Sequence, residues 1–178
     1  DADYTFVNER LAKHYGLPDV KGEEFRRVAL TGGERGGLLG QASILTVTSN
    51  PTRTSPVKRG KWMLDQILCD SPPPPPPGVE GLPEEMGPVT GSVRDRLEQH
   101  RSMEVCAACH DKIDPLGFGL ENFDGIGAWR TEDSGYAVDA SGVLPDGRTF
   151  GNVNELANIL AGDARVYRCM VEKLYTYA

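Results

Sequence analysis

The chain has 178 residues, of which 39% are apolar and 25% charged, so one ordinary domain or two small ones can bury a core, and wholesale disorder is excluded. Its 21 glycines and 13 prolines predict a loop-rich fold that stays short of low-complexity composition. A formal net charge of −7 repels phosphate backbones and argues against nucleic acid as a partner, and no stretch offers the roughly 18 consecutive apolar residues of a membrane span.

The first residues, Asp1-Ala2-Asp3-Tyr4, do not read as a signal peptide. Either one has been removed, or the chain is a piece of a longer protein. Residues 4–15 read as a first helix, with Phe6, Val7, Leu11 and His14 near one face, stopped by Gly16-Leu17-Pro18. Residues 25–30 read as a strand that turns out at Thr31-Gly32-Gly33. The stretch 36–48 suits a buried helix or a strand, and helix is the reading taken. Ser55 is placed to cap the next helix and Pro56 to open it, because the first helical residue needs no N–H. Val57, Lys61, Leu64 and Leu68 then form a stripe, and Cys69 sits at the end of this helix.

Six prolines follow, Pro72 to Pro77. They predict an extended segment of roughly 3.1 Å per residue, about 19 Å in all. It reads as a stiff strap rather than a ligand for an aromatic groove, since no flanking basic residues accompany it. Ser92 starts a helix carrying Val93, Leu97 and His100, which leads into Cys106-Ala107-Ala108-Cys109-His110. Asp139-Ala140-Ser141-Gly142 and Pro145-Asp146-Gly147 mark turns of a small β-hairpin over 136–150. A last helix spans 163–177, with Val166, Met170 and Leu174 on its core face. The organisation expected is an N-terminal helical segment over 1–71, a proline-rich strap over 72–91 and a haem-binding segment over 92–178. The two segments are expected to pack as one unit.

The Cys-x-x-Cys-His pattern reads as covalent attachment of one c-type haem. On a helix, residues i, i+3 and i+4 share a face. Cys106 and Cys109 can therefore bond one porphyrin, and His110 can turn its imidazole to the iron as the proximal ligand. The rival readings are a plain thiol pair or disulfide, a thioredoxin-like dithiol without its βαβ context, and a zinc site without a second close ligand pair. Haem c is normally attached outside the cytoplasm, so the protein is expected to be periplasmic, extracellular or on the cell surface.

Several ordered stretches carry a resemblance. They are Val7 to Gly16, Thr48 to Trp62, the proline run and His100-Arg101 before the Cys-x-x-Cys-His. Asp114 to Phe118, Leu120 to Asp124, Asp139 to Gly142 and Cys169 to Ala178 complete the set. Together they resemble the C-terminal cytochrome-like region of large multidomain proteins of unknown function, abundant in planctomycetes and some other bacteria. The resemblance implies two adjoining family segments, further domains upstream, and a terminal helix that continues further. It strengthens the expectation of an exported haem c protein and implies little about a substrate.

The sixth iron ligand is drawn from His14, His100, Met63, Met86, Met103 and Met170. His14 is the reading taken; an open site is the alternative. His100 approaches from the proximal side, and Met170 reads as packing. Arg53, Arg59 and Arg130 are candidates to pair with haem propionates, since a guanidinium fork suits a carboxylate. Leu116, Phe118 and Trp129 are candidates to pack on the porphyrin, with ordinary core packing as the alternative for the two aromatics. In an oxidising compartment Cys69 and Cys169 are expected to form a disulfide, the alternative being two buried thiols. The acidic residues Glu132, Asp133, Asp139 and Asp146 lack a calcium-loop pattern and read as turn caps.

The expected fold is therefore mainly α, a decorated cytochrome c-like helical domain around one haem, with a β-hairpin and a polyproline strap. The expected function is extracytoplasmic electron transfer, and no enzymatic activity is favoured. The partner is a redox protein or an upstream domain of the same chain. The alternatives are a peroxidase-like haem enzyme or a haem-based gas or redox sensor, both needing an open distal position.

Overall fold

Four residues decide how the chain begins. Tyr4-Thr5-Phe6-Val7 is aromatic and β-branched, which suits a pleated surface better than a helix. In the computed structural model, which describes residues 2–74, 91–100 and 104–178, they form strand β1 (Tyr4–Val7), antiparallel to β2 (Arg26–Ala29). The side chains of residues 99, 100, 104 and 105 lie outside the described set, as do Pro75 to Pro77, Met86 and Met103. Helix α1 (Glu9–His14) starts only after Asn8, whose side-chain oxygen accepts from the Leu11 N–H at 3.0 Å. The helix expected over 4–15 is thus half strand. Thr5 and Val7 turn inward and Phe6 outward, as a period of two requires. Val7, Ala12, Tyr15 and Val20 make a small core of their own.

Helix α2 is short (Ala42–Val47), because the glycines before it are used in turns. Helix α3 (Pro56–Met63) is capped as the sequence predicts: the Ser55 hydroxyl accepts from the Lys58 N–H at 3.2 Å, with Pro56 in the first turn. It continues as a π-helical turn over Leu64–Leu68 and stops at Cys69, which is left-handed with φ 49°.

Of the helix expected over 92–110, the described residues form α4 (Val93–His100) and α5 (Glu104–Phe118). The latter runs through the Cys-x-x-Cys-His motif, past Pro115, for two further turns. α3 and α5 cross at backbone contact. A Cβ on Gly60 would lie 2.0 Å from the Ile113 carbonyl oxygen, and one on Gly117 would lie 1.9 Å from that of Pro56. Around this crossing Met63, Leu64, Leu68, Ile113, Leu116, Leu120 and Phe123 form the main core.

Two β-ribbons stand where one hairpin is expected. β3 (Glu132–Asp133) pairs with β4 (Tyr136–Ala137) around Ser134-Gly135, both at positive φ; β5 (Gly142–Val143) pairs with β6 (Thr149–Phe150). Helix α6 (Val153–Ala161) was not expected. Asn152 caps it, accepting from Asn154 and Glu155 N–H at 3.0 Å each, while Glu155 accepts from the Gly151 N–H. Its stripe Val153, Leu156, Leu160 completes the main core.

Helix α7 (Ala164–Tyr177) is capped by Asp163. Of the expected core face, Val166 packs against the main core and the other two residues do not. Cys169 is buried, whereas Met170 and Leu174 are 58% and 64% exposed. The disulfide between Cys69 and Cys169, with Cα atoms 5.3 Å apart, turns the Cys169 side of the helix inward. Among the described residues there are seven α-helices and three two-stranded ribbons, so the fold is mainly α. No helix among them is long and apolar enough to cross a membrane.

Candidate haem-attachment site

The sequence-predicted attachment residues stand on the N-terminal half of α5. Cys106 and Cys109 are half-buried thiols, in contrast to the bridged Cys69 and Cys169. Helical spacing puts Cys106, Cys109 and His110 on one side of α5. The next turn adds a residue that the sequence reading left without a role. His110 Nδ1 lies 2.9 Å from Oδ1 of Asp114, a fully buried carboxylate. With a carboxylate oxygen as the acceptor, Nδ1 is the donor. In the neutral ring Nε2 then carries the lone pair, which is the electron pair a metal takes. The signal for Asp114 was its i+4 spacing from His110. It becomes visible only once the helix is carried past the motif.

The donor set fits a c-type haem. It offers two thiols three residues apart for thioether bonds and one histidine whose tautomer suits ligation through Nε2. A porphyrin supplies four nitrogens itself, so one histidine is the least the chain must contribute. No group of three or more His, Cys, Asp or Glu side chains suited to a metal gathers among the described residues.

The remaining predicted residues lie on later turns of α5 and on other elements. His14 closes α1 and lies 2.8 Å through Nε2 from the Ile126 carbonyl, to which it donates. That bond joins α1 to the 124–128 loop and not to α5. Met63 is wholly buried in the main core. Leu116 is buried and lines a small cavity of about 150 Å³ with Leu64, Leu68 and Leu144. Phe118 is buried beneath the Arg94 guanidinium, 4.1 Å from its ring centroid. Trp129 meets Phe123 edge to face at 5.3 Å.

The three arginines are engaged within the protein. Arg59 is fully buried and donates to Glu121 Oε1 (2.9 Å), to the carbonyls of Leu120 and Phe123 (2.8 Å each) and to that of Asp124 (2.7 Å). Arg130 donates to Glu121 Oε2 at 2.9 Å and pairs with Asp133 at 2.8 Å. Burial pushes the Glu121 carboxyl up from its ordinary value, and Arg59, the Thr54 hydroxyl and Arg130 pull against it. Arg53 lines a groove of about 490 Å³ with Arg130, Arg96 and Asp124, and Cys106, Cys109 and His110 are not on its wall. The acidic residues 139 and 146 cap turns, accepting from the Ser141 and Arg148 N–H groups at 2.9 and 3.1 Å.

Comparison with known proteins gives one result. No curated protein and no solved structure matches the chain. A model of a cytochrome-like, planctomycete-type family described as PSCyt3, protein of unknown function (DUF1588), matches residues 35–133. This match runs from the loop before α2 through the attachment motif to β3, more than half of the chain, and the chain belongs to that family.

Proposed function

We propose that this chain is a mono-haem c-type cytochrome domain working in extracytoplasmic electron transfer. Cys106 and Cys109 hold the haem through thioethers and His110 is the proximal ligand. When bound, the haem supplies a one-electron ferric/ferrous couple. One observation carries the reading: two unbridged thiols and a histidine stand at i, i+3 and i+4 of one helix, with the histidine's other nitrogen tied to a buried carboxylate. The family's cytochrome-like character supports it. The Cys69–Cys169 disulfide supports an oxidising compartment, because such bridges rarely persist in the cytosol. The redox partner is a separate protein or another domain of the same polypeptide. The sixth position is left unassigned, since His14 is held by Ile126.

The test is the absorption spectrum of protein made with an intact haem-attachment system, oxidised, then reduced, then exposed to carbon monoxide. Haem that survives a denaturing gel in the wild type, and not in a Cys106→Ala/Cys109→Ala variant, supports attachment at this site. Reduced low-spin bands unmoved by carbon monoxide support electron transfer. A high-spin spectrum that shifts with carbon monoxide favours an enzyme or gas sensor. No haem bands would overturn the reading.

A further inference from the structure

Asp114 is a buried carboxylate side chain placed where a second-sphere partner of an iron ligand belongs. It lies one helical turn beyond His110, is fully buried, and accepts from His110 Nδ1 at 2.9 Å. Its position is rigid. The flanking residues Ile113 and Gly117 are in backbone contact with Gly60 and Pro56 of α3, so α5 cannot shift here without moving α3. Resting on the haem reading above, we infer that Asp114 is a positioning residue that fixes His110 in its Nδ1–H tautomer and biases the bound iron toward the ferric state.

The physical chain is short. Hydrogen bonds to an ionised acceptor are about twice as strong as neutral ones, and low dielectric strengthens them further. A carboxylate that draws on the Nδ1 proton raises the basicity of Nε2. A more basic imidazole favours the more positive metal, so the ferric form gains over the ferrous one. A neutral backbone carbonyl in the same place would orient the ring but add no charge. The potential is thus lowered, relative to the same site with a neutral acceptor, by a residue that never touches iron.

The experiment compares holo wild type with Asp114→Asn and Asp114→Glu by spectroelectrochemical titration. Second-sphere changes of this type typically alter metal affinity by about 10–100-fold. A tenfold loss of preference for ferric iron raises a one-electron potential by about 59 mV. Asp114→Asn is expected to show a rise of at least that size, and Asp114→Glu to remain nearer the wild type. An Asp114→Asn potential equal to the wild type overturns the inference. An independent readout uses the haem-free Cys106→Ala/Cys109→Ala protein, with histidine nitrogens labelled for NMR. The proton of neutral His110 is expected on Nδ1, and finding it on Nε2 overturns the inference even where Asp114 variants do not fold. Failure of the haem reading is seen separately, as a wild type without haem bands.

Discussion

Arg59 and Glu121 illustrate what one residue can hold together. Arg59 rises from α3 into a nest of carbonyls from 120, 123 and 124, and its charge is answered by a carboxylate that is itself buried. Removing Arg59 breaks a buried ion pair and empties the carbonyl nest of its donor, while Glu121 keeps Arg130 and the Thr54 hydroxyl at 2.9 and 2.7 Å. Arg59→Met is expected to cost about 3–5 kcal/mol, read from the urea midpoint. At the opposite end of the molecule, Arg165 holds the Asp163 carboxyl well below the usual carboxylate range, with help from Arg148. A depressed folded value means that this stabilisation is present above the unfolded value near 3.9 and is lost as pH falls toward the folded one. Asp163→Asn keeps a capping oxygen for α7 but removes the charge. Its unfolding free energy should therefore fall less steeply than the wild type's between about pH 4 and pH 2.

The crossing of α3 and α5 works at the scale of elements. Gly117→Ala adds a methyl 1.9 Å from the Pro56 carbonyl oxygen. Alanine gains about 1 kcal/mol of helix propensity over glycine, but here the clash is with backbone, which cannot rotate aside. A net loss of at least about 1–3 kcal/mol is expected in thermal or denaturant melts. Legibility in the sequence follows the same division between local and distant causes. The Ser55-Pro56 start of α3 and the Cys69–Cys169 pair were readable, because a cap is a local signal and a pair of cysteines outside the motif is a compositional one. The close crossing was not, since a glycine inside a helix carries no mark of what touches it. Helix α6 was missed although Asn152 and Glu155 form its capping pair, because the turn signals before it drew the chain into one long hairpin. The face of α7 was misjudged by its apolar stripe. Val166, Met170 and Leu174 repeat at helical spacing, but the bridge at Cys169 fixes which side turns inward. For His14 the sequence offers only its own helix and neighbours as a guide. The carbonyl it meets lies 112 residues away, beyond what periodicity can report.

At the scale of the whole molecule the disulfide ties the end of the α3 helix to α7 across a separation of 100 residues. By loop entropy a closure of that length contributes about 4–5 kcal/mol. Cys69→Ser or reduction of the bridge should lower the denaturant midpoint by a corresponding amount, while Cys106→Ala should leave this term unchanged. The bridge also encloses both attachment cysteines within its loop, which makes the connectivity nested. In the exported protein proposed above the chain would emerge from its N-terminus, so Cys69 would meet Cys106 and Cys109 before Cys169 arrives. Pairing in order of arrival would join Cys69 to the motif and consume a thiol that the proposed thioethers need. On the proposed haem reading, maturation is a sorting problem: two sulfurs must be kept reduced while two others, farther apart, are oxidised around them. Thiol–disulfide exchange, or early capture of the inner pair, is the chemistry that resolves it.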